Sequence, residues 1–136
     1  MKKSNLIVKR DDLVYPDLSF KLVGCAFKIF NELGGGHAEK YYQRAFATLL
    51  EQEKIIFKEQ AYAPLIFQEK VIGRSFFDFL IEDKIIVEIK KSNYFSKANI
   101  DQLFQYLKSS HLQLGILINF GNDRVYPKRI LNIEQG

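Results

Sequence analysis

Two short runs of strand-forming residues carry charge where a buried sheet normally has none. The first is Phe76-Phe77-Asp78-Phe79-Leu80-Ile81; the second is Lys84-Ile85-Ile86-Val87-Glu88-Ile89-Lys90. Their aromatic and β-branched residues read as adjacent strands of a covered sheet. Two carboxylates and an ammonium in such a place must pair, or bind a metal, or cost several kcal/mol of desolvation.

Side chains alternate along a strand. Ile85, Val87 and Ile89 therefore share one face, and Ile86, Glu88 and Lys90 the other. On the partner run, alternation places Phe77, Phe79 and Ile81 together, with Phe76, Asp78 and Leu80 opposite. Cross-strand neighbours lie on one face, so the two apolar triplets should meet. A three-residue loop, Glu82-Asp83-Lys84, achieves this; it sets Ile81 against Ile85, Phe79 against Val87 and Asp78 against Glu88. A two-residue loop would set Asp78 against Val87 and mix charge with core. Directly opposed carboxylates stand roughly 4.5–5.5 Å apart at Cβ. They repel, and one pKa rises, unless a hard divalent cation takes oxygen ligands from both. The alternative is a charge cluster of Asp78, Glu88 and Lys90 that satisfies only itself.

The 136 residues suit one domain, and 47% hydrophobic content is enough for a core. The net charge of +4 mildly favours a polyanionic partner without requiring one. Lys2, Lys3, Lys9 and Arg10 form a loose basic cluster within a polar leader, residues 1–18. One cysteine, Cys25, allows no intramolecular disulfide and reads as a small buried hydrophobe. No apolar run is long enough to span a bilayer, and Arg10, Asp11 and Asp12 interrupt any signal-peptide core. A reducing, cytoplasmic setting fits.

A single domain is expected over 19–133. Asp17 or Ser19 can cap a first helix, on which Leu22, Val23, Ala26, Phe27, Phe30 and Leu33 recur at helical spacing. Gly34-Gly35-Gly36 ends it. A second helix runs from about Ala38 to Glu53, with Tyr42, Ala45, Phe46, Leu49 and Leu50 as its stripe. Ile55-Ile56-Phe57 and Ala63–Phe67 read as two short strands, the latter at an edge because of Pro64. Val71–Ile81 and Ile85–Lys91 follow as strands, then a helix over Lys97–Ser109. Leu112–Phe120 reads as a strand covered on both faces, and Val125–Ile133 as a last short strand.

Asp-(x)n-Glu-x-Lys on a β-hairpin resembles the active-site signature of the PD-(D/E)xK nuclease superfamily. Gly36-His37-Ala38-Glu39-Lys40-Tyr41-Tyr42 looks like the motif of its GxxExxY family, a bacterial and archaeal branch. Gly73, Gln102-(x)3-Tyr106 and Leu117-Ile118-Asn119-Phe120-Gly121 look like further blocks of that family. The resemblance covers about residues 19–132. Phe77 stands where the superfamily's naming proline would be. The fold implied is a mixed α/β domain with a restriction-endonuclease-like α-β-β-β-α-β core and an extra N-terminal helix, provided that Ile55–Phe67 counts as one bent strand.

The resemblance also implies roles. Asp78 and Glu88 are central metal ligands, joined by the Ile89 carbonyl and by Glu39, which binds directly or through water. Glu39 can equally be a simple helix-terminus charge. Lys90 is the catalytic lysine. Gln102 and Tyr106 share a helix face and contact substrate or support the site; Tyr42 either packs or touches ligand. His37 and His111 have no metal-ligand spacing. The expected activity is Mg²⁺- or Mn²⁺-dependent hydrolysis of phosphodiester bonds in nucleic acid, with DNA ahead of RNA. The alternatives are a binding module on a nuclease-like scaffold and a homodimeric interaction protein.

Overall fold

In the computed structural model, which describes residues 14–133, a left-handed Tyr15 (φ 48°) precedes Pro16 at the first helical position. Proline suits that position because its missing N–H would lack a helical partner anyway. Neither Asp17 nor Ser19 caps the helix, contrary to expectation; Asp17 lies in its first turn. Ser19 is buried one turn in, where it accepts a hydrogen bond from Arg129 (2.9 Å). The N-terminal basic cluster and most of the leader lie outside the described residues.

Helix α1, Pro16–Leu33, ends at Gly34 (φ 72°), whose N–H donates to the Phe30 carbonyl. Helix α2 spans Glu39–Gln52. Then come β1 Phe57–Phe67, β2 Lys70–Ile81, β3 Ile85–Lys91, α3 Lys97–Ser110, β4 Leu114–Phe120 and β5 Val125–Leu131. The five strands form one mixed sheet in the order β1-β2-β3-β4-β5. Only β3 and β4 run parallel, joined by the α3 crossover; the other neighbours are antiparallel. The expected mixed α/β architecture is thus present. The two short strands anticipated before Gln68 are one strand, β1, bent at Gln60 (φ 51°). Pro64 does lie on a sheet edge, where its missing donor costs least.

Helices cover both faces. Helices α1 and α2 pack Leu22, Ala26, Ile29, Phe46 and Leu50 onto Phe79, Ile81, Ile85, Val87 and Ile89. Helix α3 packs Leu103, Tyr106 and Leu107 onto Ile86, Leu117 and Ile130 on the opposite face. Strand β4 is buried at all seven positions, which explains its lack of alternation. Tyr42 lies flat on Phe120, with ring centroids 4.2 Å apart, and its hydroxyl donates to the Gly34 carbonyl (2.6 Å). That bond ties the glycine loop to α2. Gly35 leaves no room for a side chain: a Cβ there would stand 2.3 Å from the Asn122 carbonyl oxygen.

The α1 stripe is rotated from the one expected. Cys25 and Ile29 are inside, whereas Phe27 is 46% exposed. The helix turns toward the β5 side of the sheet, so the 22/25/26/29 face wins over the larger ring. Ile29→Ala should therefore cost about 2–5 kcal/mol in urea unfolding, and Phe27→Ala less than about 1 kcal/mol. The reverse ranking would refute this packing.

Candidate active site

The β2–β3 hairpin has the register that alternation demands, with Ile81 opposite Ile85, Leu80 opposite Ile86 and Phe79 opposite Val87. The ladder stops there. At the next position the carboxylates take over the backbone donors. The Asp78 N–H donates to Glu88 Oε1 (2.8 Å), and the Ile89 N–H donates to Asp78 Oδ2 (2.7 Å). Each acid thus satisfies an amide of the opposing strand and holds the strands apart where their backbones would otherwise pair.

A second irregularity accompanies the first. Phe79 belongs to the core under α1 and α2, but Phe77 belongs to the core under α3. Residues two apart normally share a face. The expected triplet Phe77, Phe79 and Ile81 is therefore broken, and the break falls at Asp78. β1 shows the same reversal: Phe57 packs on the first core and Ala63 on the second, with left-handed Gln60 between them. The strand turns over at Asp78, and that carboxylate reaches the β3 backbone at the Ile89 N–H.

Helix α2 reaches the same spot. Gln43 donates to Asp78 Oδ1 (3.1 Å), and Glu39 Oε1 accepts from the Lys91 N–H (3.0 Å). Glu39 and Gln43 are one helical turn apart and so project together. That spacing was the available sign of Gln43, which sequence reasoning had passed over.

From the other side, Glu88 and Lys90 line a narrow pocket with Phe77, Asn99, Gln102, Leu103 and Leu117. Gln102 thus joins the charged pair, and Tyr106 does not. Tyr106 is buried one turn further along α3, edge-on to Phe77 at 4.6 Å. It supports the residue next to Asp78 instead of lining the pocket. Tyr42 is fully buried and its hydroxyl is committed to Gly34, so it braces α2. His37 bonds the Leu33 carbonyl and His111 closes the end of α3. Ser96, one of the loop hydroxyls, caps α3 by accepting from the Asn99 N–H.

Burial dominates the electrostatics. It pushes the Glu88 carboxyl up to about 8, with the Asp78 charge adding to the effect; the Asp78 N–H and Lys90 pull the other way. Asp78 is also raised, first by burial and then by Glu39, against the Ile89 N–H and Lys90. The four side chains therefore sit in one field, and that field is short of positive charge. Among the described residues no three His, Cys, Asp or Glu side chains form a metal cage. The donors present are nonetheless hard oxygens, the kind that Mg²⁺ and Mn²⁺ prefer. A cation at Asp78 and Glu88 would favour the ionised carboxylates that burial disfavours, so the residues fit one.

The crystal structure of SSO0001 superposes on this chain with a TM-score of 0.56 at 20% identity, covering 71% of this chain and 52% of that one. An alkaline exonuclease from Laribacter hongkongensis gives a TM-score of 0.49 at 15% identity, covering 68% and 54%. The chain thus spans about half the length of the solved structures it matches. No curated protein matches the sequence. A family model, that of the PD-(D/E)XK nuclease superfamily, matches residues 16–130. The match takes in every described helix, nearly all of the sheet and the Asp78–Glu88–Lys90 hairpin, and the chain belongs to the PD-(D/E)XK nuclease superfamily.

Proposed function

We propose that this chain is a metal-dependent nuclease of the GxxExxY branch, cutting phosphodiester bonds of DNA in preference to RNA in a bacterial cytoplasm. One observation carries this reading. Asp78 and Glu88 meet at a broken ladder with Lys90 beside them, and both acids are made reluctant to ionise without a cation. No helix among the described residues is long and apolar enough to cross a membrane.

When bound at Asp78 and Glu88, Mg²⁺ or Mn²⁺ supplies Lewis-acid polarisation of a phosphate and acidifies a water. Gln43 fixes the Asp78 carboxylate by its hydrogen bond to Oδ1. Glu39 anchors the end of β3 through the Lys91 amide, and its charge adds to the demand for a cation. It is a ligand directly or through water, as is the Ile89 carbonyl. Lys90 offsets charge building on the phosphate and orients the attacking water. Gln102 lines the pocket with Lys90 and contacts the substrate from α3; Tyr106 and Tyr42 act as supports.

Purified protein should nick or degrade DNA when Mg²⁺ or Mn²⁺ is added. Lys90→Ala should lower the rate by roughly 10²-fold or more, on the scale of losing one charge-stabilising group, with an unchanged melting curve. Absence of cleavage on every nucleic acid with both metals would end this reading.

One observation favours a homodimer beside the enzyme activity. Beyond Asp78 β2 no longer pairs with β3; the β1–β2 ribbon buries Ala63 and Phe77 against α3 but exposes Tyr62, Leu65, Ile66, Phe67, Val71, Ile72 and Phe76. Exposed apolar residues in this number call for a partner surface. Light scattering during size exclusion should give twice the chain mass of 15.9 kDa, and Phe76→Asp should halve it. A monomer at micromolar concentration would exclude the dimer.

A further inference from the structure

The loop Ser92–Ser96 joins the site strand β3 to α3, and it is pinned where a connecting loop could be loose. The Tyr94 carbonyl accepts from Asn119 Nδ2 (2.7 Å) and from the Ser92 hydroxyl (2.8 Å), and the Tyr94 N–H donates to the same hydroxyl (3.1 Å). Asn93 Oδ1 accepts from the Asn122 N–H (2.8 Å), which fastens the loop to the β4–β5 turn. Asn119, 1% exposed, is a buried polar residue whose side-chain NH2 is spent on this loop, while its Oδ1 has no hydrogen-bond partner among the described residues. Yet Tyr94 itself is 81% exposed. A backbone fixed at both its donor and its acceptor, displaying a bare aromatic ring, is a preorganised contact rather than packing.

Its position is specific. Lys90 on β3 pairs with Asn119 on β4, which pairs with Tyr126 on β5. The three form a row across the sheet, on the face that α3 covers. The loop lies over that row: Tyr94 through its carbonyl on Asn119, and Phe95 edge-on to Tyr126 at 6.4 Å. Neighbouring strands lie about 4.8 Å apart, so the row runs only about 10 Å from Lys90. Two cations line it. Arg124 stands over the Tyr126 ring (5.8 Å) and Lys128 over Phe95 (5.7 Å). Both are exposed, and neither pairs with a carboxylate among the described residues. One exposed ring, Tyr94, beside two exposed cations seated on the half-buried Phe95 and Tyr126 is what an unpaired strand needs, because bases stack and phosphates seek positive charge.

We propose that Tyr94 is a stacking platform for an unpaired nucleobase, with Arg124 and Lys128 holding the adjoining phosphates, so that the site takes single-stranded nucleic acid or a frayed end. This rests on the nuclease reading of the Asp78–Glu88–Lys90 site and gives its substrate a strand state. A base inside a duplex presents no free face to the ring, which makes the contact selective.

The test measures binding, so it does not depend on cleavage. A single strand of about 12 nucleotides carrying 2-aminopurine is titrated with the full chain, with Ca²⁺ in place of Mg²⁺. As DNA and as RNA it shows which strand the ring prefers. Quenching by the wild type is expected on at least one of the two. Tyr94→Ala should weaken that binding roughly ten-fold, the scale of one lost base–aromatic stack, and Tyr94→Trp should restore it. The change is at an exposed ring, and a melting curve checks the fold. Arg124→Gln with Lys128→Gln should lower the slope of log affinity against log salt by about 1.4, two phosphate contacts at about 0.7 each. Wild-type affinity in Tyr94→Ala, an equal loss on a blunt duplex, or no binding to either strand would overturn the proposal. Loss of all cleavage with Tyr94-dependent quenching intact would instead sink the hydrolytic reading alone.

Discussion

Two carboxylates standing in for two ladder hydrogen bonds are what the rest of the site depends on. Asp78 and Glu88 each accept an amide from the opposite strand, so β2 and β3 separate where a regular hairpin would continue. A buried amide must find an acceptor, and here the acceptor is an acid. That exchange keeps both acids half-buried and close together, and it turns β2 over between Phe79 and Phe77. It also parts the distal β1–β2 ribbon from β3. The unusual acidity, the position of Lys90 and the exposed ribbon all follow from this one local departure from strand geometry.

The two faces then divide the work. From the α1–α2 side, Gln43 holds Asp78 and Glu39 holds the end of β3. Tyr42, stacked on Phe120 and bonded to Gly34, keeps α2 at the right height for both. From the α3 side, Glu88, Lys90 and Gln102 meet around a narrow pocket floored by Leu117. The open ends of parallel β3 and β4 carry the loops. Open α/β sheets generally bind ligands beyond the carboxyl ends of their parallel strands.

Much of this was legible in the sequence because periodicity and charge conflict so plainly there. Only an odd loop lets Ile81 meet Ile85 while the acids meet each other, so the hairpin register was readable. Gly34 was readable because only glycine readily adopts its left-handed backbone, and Pro64 because it cannot donate to a ladder. The reversal at Asp78 was not readable: alternation assumes an unbroken strand, and nothing in Phe77-Asp78-Phe79 marks the break. The rotation of α1 was hidden for a related reason. Its hydrophobic residues nearly encircle the helix, so only the neighbouring elements decide that Ile29 goes in and Phe27 stays out. Gln43 looks like any polar helix residue until Asp78 is placed beside it. Asn119 reads as a strand end, and its service to the Tyr94 carbonyl appears only in three dimensions.

The charge deficit at the broken ladder is the central claim, and the titration of Glu88 tests it most directly. Burial raises this carboxyl from 4.5 to about 8. The folded protein therefore holds a proton that the unfolded chain releases, and metal-free stability should fall as pH rises across that interval. A divalent cation should reverse the effect, because it favours the charged form. Following the Glu88 side-chain carbon by NMR from acid to alkaline pH, the account predicts a midpoint near 8 without metal. With saturating Mg²⁺ or Mn²⁺ the midpoint should drop below the ordinary carboxylate range. A metal-free midpoint near 4.5, or a high one that neither cation moves, would contradict it.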